Sequence, residues 1–154
     1  MIRSGYSMRI YLASSFKCKD EYRRLKGILE TYGHTITHDW SNDDVGELQG
    51  EDLETYLMTC AGMSIFGVYD ADVVVLLARP NMAGAFVEMG FALGTNTPVI
   101  ILDAFKEGNQ NNIFYHMPDC QVFHHAESIQ ELLDLLSPPK DDPYDKVVSI
   151  NGNN

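Results

Sequence analysis

The fold is most clearly indicated by residues 70–103, DADVVVLLARPNMAGAFVEMGFALGTNTPVIILD. Strands are predicted at 70–78 and 97–103, and each contains a continuous run of Val, Ile or Leu, typical of parallel strands that are buried on both faces. A proline follows the first run, and residues 83–95 between the two runs predict a helix. A strand, a crossover helix and a second strand form the unit from which open parallel sheets are built. The segment therefore predicts an α/β protein.

The rest of the chain continues this alternation of strands and helices. Strands are predicted at 8–14, 34–40 and 120–125, and helices at 17–33, 53–66 and 128–136. Gly33 fits a C-cap, and Ser128 with Glu131 matches a capping box. The 53–66 helix is expected to contact the core through Leu53, Tyr56, Leu57, Cys60 and Met63 or Ile65. The predicted fold is a five-stranded parallel sheet in a three-layer, doubly wound, flavodoxin-like arrangement.

Composition predicts one domain and limits the classes of partner. The 154 residues are 45% hydrophobic, which is enough for one core over residues 1–137, with an N-terminal extension at 1–7 and a flexible tail at 138–154. The net charge of −11 argues against a nucleic-acid partner, although backbone N–H groups can still hold one small nucleotide. No apolar run reaches the roughly 18 residues of a membrane span, so no membrane partner is predicted. The cysteines, Cys18, Cys60 and Cys120, form no framework, and no signal peptide is visible, which indicates a cytoplasmic protein.

Ligands of open parallel sheets bind beyond the carboxyl ends of the strands. This rule selects candidate residues after each predicted strand: Ser14, Ser15 and Phe16, then Asp39 and Trp40, then Arg79, Asn81 and the first helical turn with Gly84, and finally the segment 103–114.

Glu88 is the only charged residue between Pro80 and Leu102. It lies beside a stripe of mainly small residues that is expected to bring the helix backbone close to the sheet: Ala83, Val87, Gly90 and Gly94. One interpretation is structural, because a carboxylate near a helix N-terminus gains about 0.3–1 kcal/mol from the helix dipole. The other interpretation is that Glu88 faces a ligand at the cleft edge.

Four motifs occur in order along the chain: MRIYLASSF, DADVVVLLARP, AGAFVEMGFALGTNTPVIIL and NIFYHMPDCQVF. Together they resemble the nucleoside 2-deoxyribosyltransferase family, including its relatives that hydrolyse deoxynucleoside monophosphates. The resemblance spans about residues 8–136, and its most specific part is the pattern x-x-E-x-G-x-A at 86–92. It implies that Glu88 is the nucleophile that forms a covalent 2-deoxyribosyl-enzyme, with Tyr11 as the hydrogen-bond donor that orients it. Retaining glycosyl transfer proceeds in the same way, because one carboxylate bonds to the sugar and divides a difficult reaction into two easier steps.

The remaining candidates each have a structural alternative. Ser14 and Ser15 suit a 5′-hydroxyl or phosphate, but Ser15 also suits a helix cap. Trp40 suits a nucleobase or anchors its loop, and Arg79 suits a phosphate or a surface ion pair. The resemblance implies that Asn112 belongs to a pocket completed by a neighbouring subunit, and hence a homo-oligomer (dimer or higher); the alternative for Asn112 is loop capping. Asp72 opens its strand at the opposite end of the sheet and is expected to be structural.

The chain departs from the family where the base is handled. Family members carry an aspartate six residues before the nucleophile, where this chain has Met82, and an acidic residue near 63–67, where it has MSIFG. Asp39 and Asp103 are candidates for the general acid by position alone. His34 and His38 lie about 13 Å apart in an extended strand, too far to share a metal, so no metal is predicted. No cofactor is predicted either.

Three functions remain open from the sequence. The first is transfer of 2-deoxyribose between nucleobases, the second is hydrolysis of (deoxy)nucleoside 5′-monophosphates, and the third is a non-catalytic nucleotide-binding module. The base, the choice of ribose or deoxyribose and the need for a 5′-phosphate stay open as well.

Overall fold

The computed structural model describes residues 6–104, 106 and 112–138, so most of the predicted extension 1–7 and tail 138–154 lies outside it. Within these residues five parallel strands form one sheet, in the order β2-β1-β3-β4-β5. The strands are β1 (Arg9–Ala13), β2 (Thr35–Ile36), β3 (Val73–Leu77), β4 (Val99–Leu102) and β5 (Phe123–Ala126). The helices are α1 (Lys19–Thr31), α2 (Gly50–Tyr69), α3 (Ala83–Gly94) and α4 (Ile129–Leu135). This order confirms the α/β, flavodoxin-like prediction.

The core is built on the three central strands. Every residue of β3 and β4 is buried, and so is β1 from Ile10 to Ala13. The register places Tyr11 of β1 beside Val74 and Leu76 of β3 beside Ile101 of β4. Burying each Val, Ile or Leu side chain contributes roughly 1.5–3 kcal/mol, so these runs supply much of the driving force for the sheet.

Local signals in the sequence set the ends of two helices. Gly33, which follows the C-cap residue of α1, has a φ of 91°, a conformation that favours glycine. At the start of α4 the Ser128 hydroxyl accepts a hydrogen bond from the Glu131 N–H at 3.1 Å. Both caps agree with the sequence prediction.

Strand β2 is shorter than predicted. Only Thr35 and Ile36 form the strand, although the Thr37 N–H still donates to the Ile10 carbonyl at 2.9 Å. The Asp39 carboxylate then accepts from the Ser41 N–H and caps a short 3₁₀ helix, Trp40–Asn42. The Trp40 indole donates to the Leu12 carbonyl at 2.9 Å. Side-chain hydrogen bonds thus replace the ladder at this sheet edge.

Strand β5 begins later than predicted. Cys120 and Phe123 bond to each other in a tight turn, with the Cys120 N–H donating to the Phe123 carbonyl at 2.8 Å. The strand therefore starts at Phe123 and ends at Ala126.

Helix α2 is longer than predicted and contacts the core at other positions. Only Gly67 and Val68 are buried, whereas Leu57 and Met63, two of the expected core contacts, are each 49% exposed. A further apolar stripe on α2 points outward: Met58, Gly62, Phe66 and Tyr69. The prediction for Leu57 was therefore wrong, and of the alternatives Met63 and Ile65 it is Ile65 that is half-buried. The fully buried residues of α2 lie in its last turn.

The small-residue stripe of α3 also faces outward, contrary to expectation. Ala83, Gly90 and Gly94 are exposed, and Val87 is 65% exposed. The face that packs on the sheet consists instead of Ala85, Met89 and Ala92. These positions follow helical spacing as well as the stripe does, and the larger Met89 gains more from burial. Since α2 and α3 contact each other, their outward stripes lie on neighbouring helices; we call these stripes the α2/α3 face.

Asp72 is structural, as expected. Its carboxylate accepts hydrogen bonds from the Arg9 backbone at 2.7 Å and from the Arg9 guanidinium at 3.0 Å. It lies at the amino ends of the strands, opposite the predicted ligand edge. Among the described residues no helix is long and apolar enough to cross a bilayer.

Candidate active site

A cavity of about 560 Å³ lies at the carboxyl edge of the sheet. Its walls come from the chain that follows β1, from the loop that follows β2, from one face of α2 and from the first turns of α3. The predicted site residues that line it are Ser14, Ser15, Phe16, Trp40, Asn81, Gly84 and Glu88. The strand-edge rule and the structure thus bring residues from three separate segments to one cavity.

Glu88 and Tyr11 meet in a direct hydrogen bond. The Tyr11 hydroxyl donates to Oε1 of Glu88 at 2.7 Å, although the residues are 77 positions apart in the chain. Tyr11 is fully buried in β1, with its backbone held between β2 and β3. The bond therefore joins a residue of the rigid centre of the sheet to a carboxylate on the cavity wall.

Burial controls the ionisation of both groups. It raises the pKa of Glu88 to about 7, against opposing hydrogen bonds from Tyr11 and Ser64 that favour the carboxylate. Burial, together with the nearby Glu88 charge, raises the pKa of Tyr11 above its ordinary value. Tyr11 therefore stays protonated and donates a hydrogen bond to Glu88. At neutral pH Glu88 is present both as the carboxylate and as the carboxylic acid.

Ser64 and Gly67 complete this cluster and were not predicted from the sequence. Ser64 is half-buried on α2 and lines the cavity, and it opposes the effect of burial by favouring the ionised form of Glu88. A Cβ at Gly67 would lie 2.9 Å from the Tyr11 ring and 2.7 Å from Cβ of His38. Only glycine lets α2 pass this close to the Tyr11 ring. The available signals were a glycine inside a helix and a lone serine in an apolar run.

Aromatic side chains form the wall opposite the helices. The rings of Phe16 and Trp40 stack with centroids 6.0 Å apart and planes inclined by 26°. Trp40 is 6% exposed and its other neighbour is Tyr22, with centroids 4.3 Å apart, so it both lines the cavity and anchors its loop. Phe16 is 55% exposed and offers more surface to a ligand than Trp40 does.

The two serines after β1 make local hydrogen bonds. The Ser14 hydroxyl donates to the Leu77 carbonyl at 3.2 Å, which ties the end of β1 to β3. The Ser15 hydroxyl accepts from the Lys17 N–H at 3.4 Å and caps the short 3₁₀ helix Phe16–Cys18. The capping role expected as the alternative for Ser15 is therefore present, at a 3₁₀ turn that precedes α1.

Asp39, Arg79 and Asn112 are not among the residues that line the cavity. The Arg79 side chain is buried, donates to the Ala78 carbonyl at 2.9 Å and approaches Glu21 at 4.0 Å. Asn112 accepts from the Phe114 N–H at 3.0 Å, which is loop capping. The structure of this chain thus places these three residues in other contacts.

Asp39 is also not in the protonated state that a general acid requires. Burial raises the pKa of Asp39, but hydrogen bonds from Ser41 and from the Lys26 ammonium outweigh that effect and hold the pKa below its ordinary value. The Lys26 ammonium lies 3.1 Å from the Asp39 carboxylate. Asp39 therefore remains ionised at neutral pH and has no proton to give a leaving base. Asp103, the other positional candidate, does not line the cavity either.

The charged residues of the cavity wall are mostly acidic. Asp43, Asp44 and Glu88 supply three carboxylates, and Lys17 supplies one ammonium. The Asp44 carboxylate accepts from the Gly46 N–H at 3.0 Å, and its own N–H donates to the Tyr56 hydroxyl at 3.0 Å. These bonds fix the loop after β2 against α2. In the part of the chain that the structure describes, no group of three or more His, Cys, Asp or Glu is arranged to hold a metal ion.

No protein-family model matches the chain, and no curated protein matches it in sequence. The resemblance to the nucleoside 2-deoxyribosyltransferase family therefore rests on the motifs quoted above.

Proposed function

We propose that the chain cleaves the N-glycosidic bond of a nucleoside and transfers its 2-deoxyribose to a second base, through a covalent glycosyl ester on Glu88. The observation that carries the proposal is the 2.7 Å hydrogen bond from Tyr11 to Glu88, a residue of the cavity wall. A buried carboxylate held by one strong donor has few water molecules to lose before it attacks, and its orientation is already set.

The reaction has two steps. An oxygen of the Glu88 carboxylate bonds to C1′ of the sugar, the bond from C1′ to the base nitrogen breaks, and its electron pair leaves with the base. A nitrogen of a second base, or a water oxygen, then attacks C1′ and releases Glu88 as a carboxylate, and the proton of the attacking group passes to solvent or to the base that left. The Tyr11 hydroxyl hydrogen-bonds to the Glu88 carboxylate and orients it for the first step.

Hydrolysis of nucleoside 5′-monophosphates is the second candidate function. Ser14, Ser15 and Lys17 share one wall of the cavity and supply hydroxyls and an ammonium for a phosphate. Against it, Asp43 and Asp44 line the same cavity and repel an anion, and Arg79 lies elsewhere beside Glu21. These charges favour a nucleoside over a nucleotide.

We also propose that the chain forms a homo-oligomer through the α2/α3 face. Met58 is 75% exposed, Phe66 65%, Tyr69 69% and Val87 65%, and no charged residue lies between Ala61 and Tyr69. Monomers seldom expose apolar side chains in such concentration. We expect light scattering to give a mass above that of one chain, and Phe66→Glu to return it to the monomer. A monomeric wild type would contradict this part of the proposal.

The cysteines fit a reducing compartment. Cys18, Cys60 and Cys120 carry free thiols. On this ground we propose a cytoplasmic setting for the reaction.

The test of the proposed function is a panel of deoxynucleosides, ribonucleosides and their 5′-monophosphates, each incubated with and without a second free base. Products are separated by chromatography for wild type, Glu88→Gln and a control, Glu54→Gln, which changes an exposed glutamate of α2. A new nucleoside that requires Glu88 establishes transfer, and free base alone establishes hydrolysis. Substrate binding without any reaction would favour the non-catalytic module.

A further inference from the structure

The cavity has an excess of negative charge where a substrate would bind. Among the described residues, its lining holds the carboxylates of Asp43, Asp44 and Glu88 and one ammonium, that of Lys17. The nearby ammonium of Lys19 is held by the Asp43 carbonyl at 2.6 Å and by the Phe16 ring at 4.1 Å. The whole chain carries a net charge of −11, so the long-range field also attracts cations.

Glu88 itself is surrounded by neutral groups. Its hydrogen-bond donor is the Tyr11 hydroxyl, and the hydroxyl of Ser64 also favours its ionised form. Two of the lining residues closest to it in sequence, Met82 and Ala85, are buried and apolar. A buried carboxylate without a countercharge is costly, and a positively charged ligand supplies that countercharge.

The charge of the leaving base also limits which substrates can react. A neutral base departs with an extra electron pair and needs a proton, whereas a base that is already a cation departs as a neutral molecule. The Tyr11 proton is engaged with Glu88, and the lining residues Met82 and Ala85 have none to give. The proton-bearing side chains of Lys17, Tyr56 and Cys60 belong to other segments of the lining. Asp43 and Asp44 would have to be protonated to act as acids, but as carboxylates they attract a cation directly.

We propose that the preferred substrates are N-glycosides whose base carries a formal positive charge: N-glycosyl pyridiniums and N7-alkylated purine nucleosides. This inference rests on the proposed function of Glu88. The Glu88 oxygen bonds to C1′, the bond from C1′ to the cationic nitrogen breaks, and its electron pair neutralises the base, with no proton transferred. Water then attacks C1′, the free sugar forms, one proton passes to solvent and Glu88 returns as a carboxylate.

The kinetic test compares 7-methylguanosine with guanosine, each as the ribosyl and the 2-deoxyribosyl compound, together with the pyridinium nucleoside nicotinamide riboside. Each enzymatic kcat/KM is divided by the rate of hydrolysis of the same compound in buffer, which removes the intrinsic lability of the cations. We expect this acceleration to be at least about tenfold larger for the cationic compounds. An equal or larger acceleration for the neutral partners overturns the inference and leaves the proposed function standing. If no compound reacts, the proposed function fails together with the inference.

A binding test separates charge recognition from chemistry. The 1-methylnicotinamide cation and neutral nicotinamide differ in little but charge, and each is titrated as an inhibitor or by calorimetry. The cation should bind at least about tenfold more tightly, and this preference should shrink in Asp43→Asn and Asp44→Asn. The control is Asp20→Asn, which removes a charge from a side chain that is 98% exposed on α1, away from the cavity lining. Equal affinities, or an equal loss in the control, would overturn the inference.

Discussion

Replacing Glu88 with glutamine is expected to stabilise the protein at high pH and to leave its stability unchanged at low pH. The pKa of Glu88 is about 7 in the folded chain, against an ordinary value of 4.5. A carboxyl group with these two pKa values binds more protons in the folded than in the unfolded chain. Its contribution to the free energy of unfolding is therefore fully present below about pH 4.5 and is lost as the pH rises through about 7. Holding the ionised carboxylate in the fold then costs about 3 kcal/mol.

Glutamine keeps the shape of the side chain and can still accept the hydrogen bond of the Tyr11 hydroxyl, but it does not ionise. At about pH 8 we expect Glu88→Gln to be more stable than wild type by about 3 kcal/mol, or roughly 6–12 °C in Tm. At about pH 4 the two proteins should unfold together. Trp40, the single tryptophan and a buried residue, reports unfolding in urea by its fluorescence.

The control is Glu54→Gln, because Glu54 is exposed on α2 and the substitution removes one charge without touching the cavity. Its stability difference from wild type should stay within about 0.5 kcal/mol at both pH values. The reasoning fails if Glu88→Gln differs from wild type by the same amount at both pH values, or if the glutamine variant is the less stable one at high pH.

Three further predictions concern the cluster around Glu88. Tyr11→Phe removes the hydroxyl that favours the carboxylate, so kcat/KM should fall about 10–100-fold and the rising limb of its pH profile should move to higher pH. Ser64→Ala should move the same limb in the same direction, by a smaller amount. Gly67→Ala brings a methyl group within 3.0 Å of the Tyr11 ring and should lower the free energy of unfolding in urea by about 1–3 kcal/mol. Gly62→Ala, on the same helix with nothing within 4 Å, should be neutral or stabilising by up to about 1 kcal/mol.

Each of these predictions has its own contrary result. A Tyr11→Phe enzyme with reduced rate but an unmoved pH profile would show that the hydroxyl does not control the ionisation of Glu88. A normal profile in Ser64→Ala would remove Ser64 from the cluster. Equal stability changes at Gly62 and Gly67 would show that the close approach of α2 to Tyr11 is not tight.

The sheet could be predicted because its signals are local. Residues 73–78 and 99–102 are apolar at every position, and in the structure β3 and β4 are buried throughout. The edge strand β2 has no such run, and the side chain of Asp39 competes with its ladder, so its length could not be predicted.

The site could be predicted only where a strand end or a motif marked it. Glu88 stood out because it is the one charge in an apolar segment, and the resemblance paired it with Tyr11. Ser64 and Gly67 could not be predicted from the sequence, because their importance comes from long-range packing of α2 on Tyr11, which no local pattern encodes. Arg79 lies at a strand end as expected, but its side chain turns to Glu21 and away from the cavity.

The stripe on α3 shows why a helix face cannot be assigned from spacing alone. Ala83, Val87 and Gly90 share one face, and Ala85, Met89 and Ala92 share another with equally regular spacing. The larger buried side chain of Met89 decided between them. The exposed stripe then became part of the surface for which we propose self-association.

The most direct test of the central claim is to look for the sugar on Glu88. Wild-type protein is mixed with excess reactive nucleoside, quenched with acid within one turnover and digested, and the peptide that carries Glu88 is weighed by mass spectrometry. We expect an added mass of one pentosyl group on that peptide, located at Glu88 by fragmentation and absent from Glu88→Gln. Base release by Glu88→Gln at the wild-type rate, with no adduct on either protein, would contradict it.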